Sequence, residues 1–394
     1  MKKPYTDPIY IGEGANERLY EFLRERFGAD ADHGITVCDE NTERFCYNLP
    51  PIMRVVYEDG VVATDVDAIE ISNAADDCES AFGYRPSYLI ACGSGSVHDL
   101  TRYAAHDMGI PFISYPTAPS MDGFVSAIAA MTINGRKVSY PSTPPIALFA
   151  DPDVFCTAPA RLTASGVGDI VGKYISILDW KVADILGVDK MDGEICALVE
   201  EALDTVMKMS PDEEGYTEKV LRCLVLSGLS IQYYGSSRPA SGSEHHLSHL
   251  WEMHCMNGHT DALHGEQVGV STLLVLEKYK SLLDSGIVFS GKRDKICPEY
   301  LKEVYGDITK GIIEENTPYP LNGVDGEISA EKEAKIRALI EELPSVDFIR
   351  DYLRSVGAKT TLSELGLPDN SDFAAKSLEF APYVRRRLTL LKLI

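Results

Sequence analysis

Histidine is concentrated in one segment, residues 236–267, which reads SSRPASGSEHHLSHLWEMHCMNGHTDALHGEQ. Six of the nine histidines fall in this segment: His245, His246, His249, His254, His259 and His264. If the chain from His245 to about Cys255 is helical, His245 and His249 project from one face of the helix. Because neutral imidazole is the commonest metal-ligating side chain, this spacing favours a metal site. The alternative is a polar helix face that carries scattered histidines.

A second helix is predicted after a loop that contains Asn257 and Gly258. Asp261 is its candidate N-cap, the helix begins at about Ala262, and His264 lies in its first turn. Two facing helices could then direct three imidazoles at one point, and a catalytic zinc-type site uses about three protein ligands with one position open. No Glu directly follows the first histidine, so the HExxH pattern of metalloproteases is missing.

Composition disfavours several classes of function. The formal net charge of −23 repels nucleic acid and anionic lipid, and no run of about 18 apolar residues is present, so we expect no nucleic-acid partner and no membrane insertion. The nine cysteines are scattered without CxxC spacing, which favours free thiols in a reducing compartment. The sequence MKKPYTDPIYIGEG at the N-terminus lacks the apolar region of a signal peptide. We therefore expect a cytoplasmic protein.

The same negative charge would repel a phosphorylated substrate at long range. Local cations would have to overcome that field if the substrate carries a phosphate. Lys173 and Arg238 are the candidates, and the alternative for each is a solvated surface charge.

The order of apolar patterns predicts two domains. Up to about residue 150, short apolar runs alternate with helical patterns, which is typical of a parallel sheet built from βαβ units. Strands are predicted at 9–12, 35–38, 52–57, 88–92 and 111–116, and helices at 16–27, 66–81 and 98–106. From about Leu162 the patterns are helical almost throughout. We therefore predict an α/β dinucleotide-binding domain at 1–160 and an all-helical metal- and substrate-binding domain at 161–394.

A glycine-rich turn follows the buried-type strand that ends at Cys92. It reads Gly93-Ser94-Gly95-Ser96-Val97-His98-Asp99 and leads into a helix, so its amides and the helix N-terminus suit a pyrophosphate. The alternative is a plain tight turn, since only the first two glycines of GxGxxG are present. The loop 116–123 follows the next strand, and two adjacent strand ends of this kind form a ligand crevice. Asp39 ends the second strand. Its carboxylate could accept hydrogen bonds from a ribose 2′-hydroxyl, which would favour NAD over NADP. The alternative is that Asp39 is a helix N-cap or a turn residue.

Asp169 opens the first helix of the predicted second domain. A carboxylate at such a position is usually a helix cap. It is alternatively a third metal ligand for two histidines elsewhere in the chain.

Five segments in order resemble the iron-containing alcohol dehydrogenase and dehydroquinate synthase superfamily, and within it the bacterial type of the sn-glycerol-1-phosphate dehydrogenase family. They are GSGSVHDLTRYAA at 93–105, PFISYPTAPSMDGFVS at 111–126, SGVGDIVGKY at 165–174, SSRPASGSEHHLSH at 236–249 and ALHGEQVGV at 262–270. The resemblance implies an α/β N-terminal Rossmann-like domain followed by an all-α C-terminal domain, with the active site in the cleft between them. This chain has Gly93-Ser94-Gly95 where the family often has three glycines.

The resemblance also implies roles for individual residues. One divalent metal, zinc or nickel, would be bound by Asp169, His245 and His264; His245 is preferred to His246 because it follows SGSE in the family register. His249 and Asp122 would be catalytic, and both would contact the substrate together with Asp169. The implied contacts to NAD or NADP are Asp39, Gly95, Ser96, Val97, His98, Asp99, Thr117, Ala118, Pro119, Ser120 and Ser126.

The function that the resemblance implies is a metal-dependent, NAD(P)-dependent interconversion of dihydroxyacetone phosphate and sn-glycerol 1-phosphate by hydride transfer. The implied substrate is thus a small phosphorylated polyol, and the implied assembly is a homo-oligomer, a dimer or larger. The first alternative is a glycerol dehydrogenase or another polyol dehydrogenase on the same scaffold. The second is a binding or regulatory protein that has kept the fold without catalysis.

Overall fold

The structure, a computed structural model, describes residues 5–51, 53–257, 260–290, 297–318 and 328–394. The chain packs as two compact units. The first comprises Met1–Ile133, Lys137–Gly166 and Asp212–Ser237, and the second comprises Asn134–Arg136, Val167–Pro211 and Arg238–Ile394. These units differ from a division between residues 160 and 161 because 212–237 belongs to the first unit. The assignment of a cofactor domain and a metal domain, with a cleft between them, stays a prediction.

The first unit is built around a six-stranded sheet in the order β1-β8-β5-β4-β2-β3, in which every pairing is parallel. Its strands are Ile9–Ile11 (β1), Gly34–Asp39 (β2), Met53–Tyr57 (β3), Tyr88–Gly93 (β4), Phe112–Pro116 (β5) and Ala147–Ala150 (β8). A separate two-stranded ribbon pairs Ile128–Ile133 (β6) with Arg136–Pro141 (β7). The predicted α/β architecture is therefore confirmed.

Helices cover both faces of this sheet, which explains why β4 is apolar along its whole length. Leu89 and Ala91 pack into a core with the helices at Ile69–Phe82 (α3) and Gly95–Met108 (α4). Ile90 and Cys92 point to the other face, where they pack with Ala15–Phe27 (α1). The other helices of the first unit are Glu43–Cys46 (α2), Pro152–Phe155 (α5) and Tyr216–Tyr234 (α9).

The carboxyl ends of the parallel strands meet at one edge of the sheet. Gly93 at the end of β4 is in register with Pro116 at the end of β5. The chain leaves β2 towards β3 on one side and leaves β4 towards β5 on the other, so the strand order reverses between β2 and β4. Thr42, which follows β2, donates its hydroxyl to the Cys92 carbonyl over 3.0 Å and joins the two strand ends. A reversal point of this kind is where doubly wound sheets bind their ligands.

Helices build nearly all of the second unit, as predicted. The helix Ala160–Val171 (α6) runs from the first unit into it. The others are Lys173–Leu186 (α7), Gly193–Val206 (α8), Ser243–Glu252 (α10), His264–Ser281 (α11), Pro298–Tyr305 (α12), Thr309–Glu315 (α13), Ala330–Glu342 (α14), Val346–Ser355 (α15) and Ser371–Phe380 (α16). The C-terminal segment, residues 383–394, follows α16, and its residues 390–393 are buried. No helix within the described ranges is both long and apolar enough to cross a membrane.

Several helix boundaries differ from those predicted. The helix expected at 170–186 is two helices, α6 and α7, with Gly172 between them. A Cβ on Gly172 would lie 2.7 Å from Val268 Cγ1, so the chain needs glycine at this break. The helix that carries His264 begins at His264 itself, and Glu266 Oε2 accepts a hydrogen bond from the Leu263 amide at 2.9 Å. The prediction of Asp261 as the N-cap is therefore wrong.

Gly93 allows the tight turn between β4 and α4. A Cβ at this position would lie 2.7 Å from Val97 Cβ, closer than side chains tolerate. We expect Gly93→Ala to lower the free energy of unfolding by about 1–3 kcal/mol through overpacking, measured as a shift of the urea midpoint. Gly95→Ala is the matched control, because its Cβ would meet only the flexible Met121 side chain, at 3.2 Å. If the clash is the cause, Val97→Ala restores part of the stability of Gly93→Ala, because it removes the Cγ2 and Cγ1 contacts at 2.7 and 2.9 Å but keeps the Cβ contact. A double variant as unstable as the single one would contradict this explanation.

Candidate metal and active site

Four residues from three helices come together in the second unit. One ligand atom from each of Asp169, His245 and His264 lies within 4.8 Å of the other two. His245 Nε2 is 3.6 Å from Asp169 Oδ1, and the rings of His245 and His264 are centred 5.2 Å apart. His249, one turn after His245 on α10, is centred 5.6 Å from His264. Two ligands at about 2.1 Å from a tetrahedral ion lie roughly 3.4 Å apart, so these donors fit a single divalent ion.

The backbone of α6 reaches the first turn of α11 only because glycines meet there. A Cβ on Gly168 would lie 2.3 Å from the Gly265 carbonyl oxygen. These two glycines are next in sequence to Asp169 and His264. The close approach therefore sets the separation of a carboxylate and an imidazole that start on different helices.

Neighbouring carboxylates orient two of the imidazoles. Glu244 Oε1 lies 2.6 Å from His245 Nδ1, and Glu252 Oε1 lies 2.8 Å from His264 Nδ1. A protonated Nδ1 that donates to each carboxylate leaves Nε2 with its lone pair, which is the usual arrangement around a metal-ligating histidine. The three candidate ligands, together with the two carboxylates that orient the imidazoles, are thus suited to bind a metal ion.

Asp169 lies in the last turn of α6, so its interpretation as the residue that opens or caps a helix is wrong. Its carboxylate accepts a hydrogen bond from Lys173 Nζ at 2.8 Å, and Lys173 also donates to the Ala240 carbonyl at 2.9 Å. Burial acts to raise the pKa of Asp169, but the charge of Lys173 and the hydrogen bond with His245 outweigh it and hold the pKa below its ordinary value. The carboxylate is therefore ionised, as a metal ligand must be.

His249 has a different environment from the three candidate ligands. Burial lowers its pKa to about 3, so the ring is neutral at physiological pH. Its Nδ1 lies 3.2 Å from Glu252 Oε2. A second candidate ligand set consists of His249, Glu252 and His264, but hydrogen bonds account for its short distances. We therefore favour the set that contains Asp169.

Glu252 is the site residue that the sequence reasoning missed. Its carboxylate lies between the Nδ1 atoms of His249 and His264 and orients both rings. Its position in the sequence could have identified it, since Glu252 lies three residues after His249 and seven after His245 on one helix face. A glutamate at the end of a polar helix is common on protein surfaces, and that hid its role.

The structure distinguishes His245 from His246. His245 faces Asp169, whereas His246 lies completely buried outside either candidate ligand set. Of the other histidines in the segment, His254 is exposed and His259 lies outside the described residues.

The interpretation of Lys173 and Arg238 as phosphate-binding cations is not supported. Lys173 is buried against Asp169, as described above. Arg238 is 1% exposed and donates to the carbonyls of Leu388 at 2.9 Å and Asp179 at 2.6 Å. Its Nε lies 3.0 Å from Asp189 Oδ2. Both side chains therefore hold the interior of the second unit together.

The predicted cofactor contacts lie at the strand ends of the first unit. Gly95, Ser96 and Val97 form the first turn of α4, where helix amides have no acceptor within the helix. Thr117, Ala118, Pro119 and Ser120 follow β5, and the Thr117 amide donates to the Gly93 carbonyl at 3.1 Å. The buried hydroxyl of Ser120 has no hydrogen-bond partner within the described part of the chain. Both features suit a ligand at this edge.

Other predicted cofactor residues have partners inside the first unit. His98 is buried, with Nδ1 2.9 Å from the Ser94 carbonyl and Nε2 2.8 Å from Ser114 Oγ, and burial lowers its pKa to about 3. Asp99 forms an ion pair with buried Arg102, and Ser126 Oγ bonds to Ile128. Asp39 Oδ1 accepts hydrogen bonds from the Thr42 amide and hydroxyl, both at 2.9 Å, so it is at least a turn residue. Contacts of these residues with a cofactor stay predictions.

Asp122 also lies in the first unit, directly before the turn Gly123–Val125. Its Oδ2 accepts the Ser227 hydroxyl of α9 at 2.7 Å. A Cβ on Gly228 would lie 2.5 Å from the Asp122 carbonyl, so α9 packs closely on this turn. The catalytic and substrate-binding role of Asp122 stays a prediction.

Comparison with known proteins identifies the family. Residues 10–159 match the model of the iron-containing alcohol dehydrogenases. A glycerol-1-phosphate dehydrogenase [NAD(P)+] of Halalkalibacterium halodurans is 35% identical over 397 residues, which cover 98% of this chain and 91% of the relative. The enzyme of the same name from Bacillus licheniformis is 34% identical over 312 residues, 78% of this chain and 67% of the relative.

The chain belongs to the glycerol-1-phosphate dehydrogenase family.

The fold agrees with this assignment. A probable glycerol dehydrogenase from Sinorhizobium meliloti has a similar structure, with a TM-score of 0.63 at 17% identity over 98% of this chain and 94% of that one. The resemblance read from the sequence segments is thus confirmed. In a member of this family, the cluster of Asp169, His245 and His264 is the candidate metal site.

Gly168 provides a test of how the metal site is assembled. We expect Gly168→Ala to force α6 away from α11, because the new Cβ cannot remain 2.3 Å from the Gly265 carbonyl oxygen. Separation of Asp169 from His264 should weaken metal binding by about 10- to 100-fold, measured by competition with a chromophoric chelator.

Gly193→Ala is the matched control, since a Cβ there meets nothing within 4 Å. This variant should bind metal like the unmodified protein. Unchanged metal affinity in Gly168→Ala would show that the glycine contact does not set the ligand separation.

Proposed function

We infer that this protein is an NAD(P)-dependent glycerol-1-phosphate dehydrogenase that interconverts dihydroxyacetone phosphate and sn-glycerol 1-phosphate. The observation that carries this inference is the convergence of Asp169, His245 and His264 within 4.8 Å, in a chain 35% identical over almost its full length to an enzyme of that name. A carboxylate with two imidazoles is a borderline donor set that accepts zinc, nickel or iron. We propose zinc or nickel as the resident ion.

The proposed reaction needs a Lewis acid and a hydride carrier, and each would come from a bound group. A divalent ion held by Asp169, His245 and His264 would supply Lewis acidity at the C2 oxygen of the substrate, and the nicotinamide would accept or donate the hydride. The protein contributes fixed ligand directions through Glu244 and Glu252. It would also leave the ion accessible to the substrate on the side of His264, because the His264 side chain is 31% exposed whereas Asp169 is fully buried.

We propose that His249 exchanges a proton with the substrate hydroxyl. Its low pKa keeps the ring neutral, so it can accept a proton as the alcohol is oxidised. The Glu252 carboxylate beside Nδ1 would stabilise the imidazolium that forms, and Nε2 would be the atom that exchanges the proton. Asp122 is the second residue that we propose to contact the substrate.

We propose that the cofactor binds at the carboxyl edge of the parallel sheet. The α4 amides of Gly95 to Val97 would bind its pyrophosphate, and the loop of Thr117 to Ser120 would line the adjacent strand end. A carboxylate at Asp39 would accept the ribose hydroxyls of NAD and repel the 2′-phosphate of NADP. His98, Asp99 and Ser126 would support this edge from within the first unit.

The remaining proposals concern location and assembly. None of the nine cysteines forms a disulfide within the described part of the chain, which supports a reducing compartment such as the cytoplasm. A homo-oligomer, a dimer or larger, stays our proposal for the assembly.

An activity screen tests the proposed function. Metal-stripped protein should not oxidise NADH with dihydroxyacetone phosphate, and one equivalent of zinc or nickel should restore the activity. Parallel assays with dihydroxyacetone separate the main function from that of a polyol dehydrogenase. A preference for the unphosphorylated substrate would favour the polyol dehydrogenase, and lack of turnover with either substrate in metal-loaded protein would favour a non-catalytic binding role.

His249 can be tested separately from the metal ligands. We expect His249→Ala to lower kcat by about 10²- to 10⁴-fold, because a neutral proton acceptor is lost, while metal content remains near normal. His245→Ala provides the contrast and should lose both metal and activity. Undiminished kcat in His249→Ala would remove this residue from the mechanism.

A further inference from the structure

The second unit contains a cavity of about 280 Å³ that none of the candidate metal ligands lines. Its walls come from α7, α8 and α14, together with the residue that directly follows α14. The lining residues of each helix are spaced three and four apart, so they share one helix face. Because α7 packs against both other helices, the cavity is a groove with α7 as its floor. We call it the α7 groove.

Its two walls are fixed by contacts within the second unit. Lys181 Nζ on α7 lies 3.0 Å from Glu200 Oε1 on α8, which joins the floor to one wall. At the other wall, Lys280 of α11 donates to three carbonyls at the C-terminal end of α14, at distances of 2.6 to 3.1 Å. The α7 groove is therefore formed in the free protein, and a ligand need not order its walls.

Aliphatic side chains make up half of the lining. Five of the ten lining residues are isoleucine or leucine: Ile177, Leu178, Leu203, Leu339 and Leu343. An apolar cavity of about 150 Å³ holds one benzene molecule, so the α7 groove has room for roughly ten non-hydrogen atoms. A small ligand with an alkyl body would remove apolar surface from water here.

The charged residues of the groove favour a cation. Lys181 faces three carboxylates, those of Glu200, Asp204 and Glu342, so the lining carries a net charge of −2. Lys181 is paired with Glu200, and Lys208 lies 3.8 Å from Asp204 in a pair that is mostly exposed and therefore weak. The side chain of Glu342 forms no ion pair within the described ranges. A net charge of −23 on the chain adds long-range attraction for a cation.

Tyr174 adds an aromatic ring and a hydroxyl to the floor of the groove. The residue is half-buried. Burial, and after it the charge of Asp204, raise the pKa of the phenol, so the hydroxyl stays protonated and neutral. Its oxygen can accept a hydrogen bond from an ammonium group, and the face of the ring attracts such a group electrostatically.

We propose that the α7 groove binds a primary aliphatic amine, whose ammonium group contacts Asp204 and Glu342 and whose alkyl chain lies on the isoleucine and leucine side chains. The site is separate from the proposed dehydrogenase chemistry, because no lining residue is a candidate metal, substrate or cofactor contact. A second copy of this chain is a poorer occupant, since two strongly acidic surfaces repel each other.

Binding of hexylammonium chloride to the full-length protein is the primary test, measured by titration calorimetry and by the rise in Tm. We expect one site per chain. Ethylammonium should bind about 10- to 100-fold more weakly, because it lacks four methylene groups. Hexanol should bind about tenfold more weakly, because it lacks the charge, and hexanoate should not bind. Equal binding of hexanol or of ethylammonium, or no binding of hexylammonium, would overturn the proposal.

Glu342→Gln tests the charge of the groove, and Glu341→Gln is its matched control. Glu341 is the exposed neighbour of Glu342 in the sequence and does not line the groove. We expect the Kd for hexylammonium to rise about tenfold in Glu342→Gln and to stay unchanged in Glu341→Gln. Equal effects of the two substitutions would attribute the binding to the overall charge of the protein and reject the site.

Leu339→Trp tests the cavity itself, because the larger ring would fill a half-buried position in its lining. Ala338→Trp places the same ring at an exposed neighbour that does not line the groove. Only Leu339→Trp should lose hexylammonium binding. Binding that persists in a folded Leu339→Trp protein would place the amine elsewhere. If the unmodified protein binds no amine and Leu339→Trp changes the oligomeric mass, the groove belongs to an interface between copies and the proposal fails.

Discussion

The contact on which the candidate site depends is the approach of two helix backbones at Gly168 and Gly265. Asp169 and His264 are almost a hundred residues apart, and neither helix contains more than one of the two. With Gly168 Cα facing the Gly265 carbonyl, there is no room for a methyl group, and the neighbouring side chains are brought within reach of one ion. The third proposed ligand, His245, comes from α10, which packs along α11. A metal site of this kind is thus a consequence of helix packing, and side-chain flexibility contributes little.

Buried charged side chains stabilise this arrangement, both at the candidate ligands and further from them. Lys173 neutralises Asp169, and Glu244 and Glu252 hold the imidazoles. Further from the site, Asp179 accepts hydrogen bonds from the Ser243 amide at 2.7 Å, the Leu390 amide at 2.8 Å and the Tyr279 hydroxyl at 2.9 Å. Burial raises the pKa of Asp179 to about 6. One carboxylate therefore ties the start of α10, which carries the proposed ligand His245, to the C-terminal segment.

The parts of the structure that local patterns determine could be predicted from the sequence. The continuous apolar run of β4 and the Gly-Ser turn after it predicted a parallel sheet with a ligand edge, and histidine spacing predicted that His245, His249 and His264 meet. Other features depend on tertiary contacts. The β6–β7 ribbon was overlooked although Asn134-Gly135 is a strong hairpin signal, with φ of 50° and 73°. Arg238 was predicted as a phosphate-binding cation, with a solvated surface charge as the alternative, and only its carbonyl partners show that it is structural. Glu252 has an ordinary local pattern, so the sequence did not mark it.

The acidic composition bears on how the protein can bind the phosphorylated substrate that we propose. A surface with a net charge of −23 repels a phosphate ester at long range, but salt screens that field over about 8 Å at physiological ionic strength. Cations held in a partly desolvated pocket are screened much less, so they dominate at contact distance. Arg385 also acts electrostatically on Glu252 and His249, which are the groups that we propose to handle the proton. The phosphate group of the proposed substrate would add negative charge near His249, which favours the imidazolium and would make the imidazole a better proton acceptor. On this argument, the phosphate group adjusts the basicity of the residue that receives the proton of the substrate, which an unphosphorylated polyol could not do.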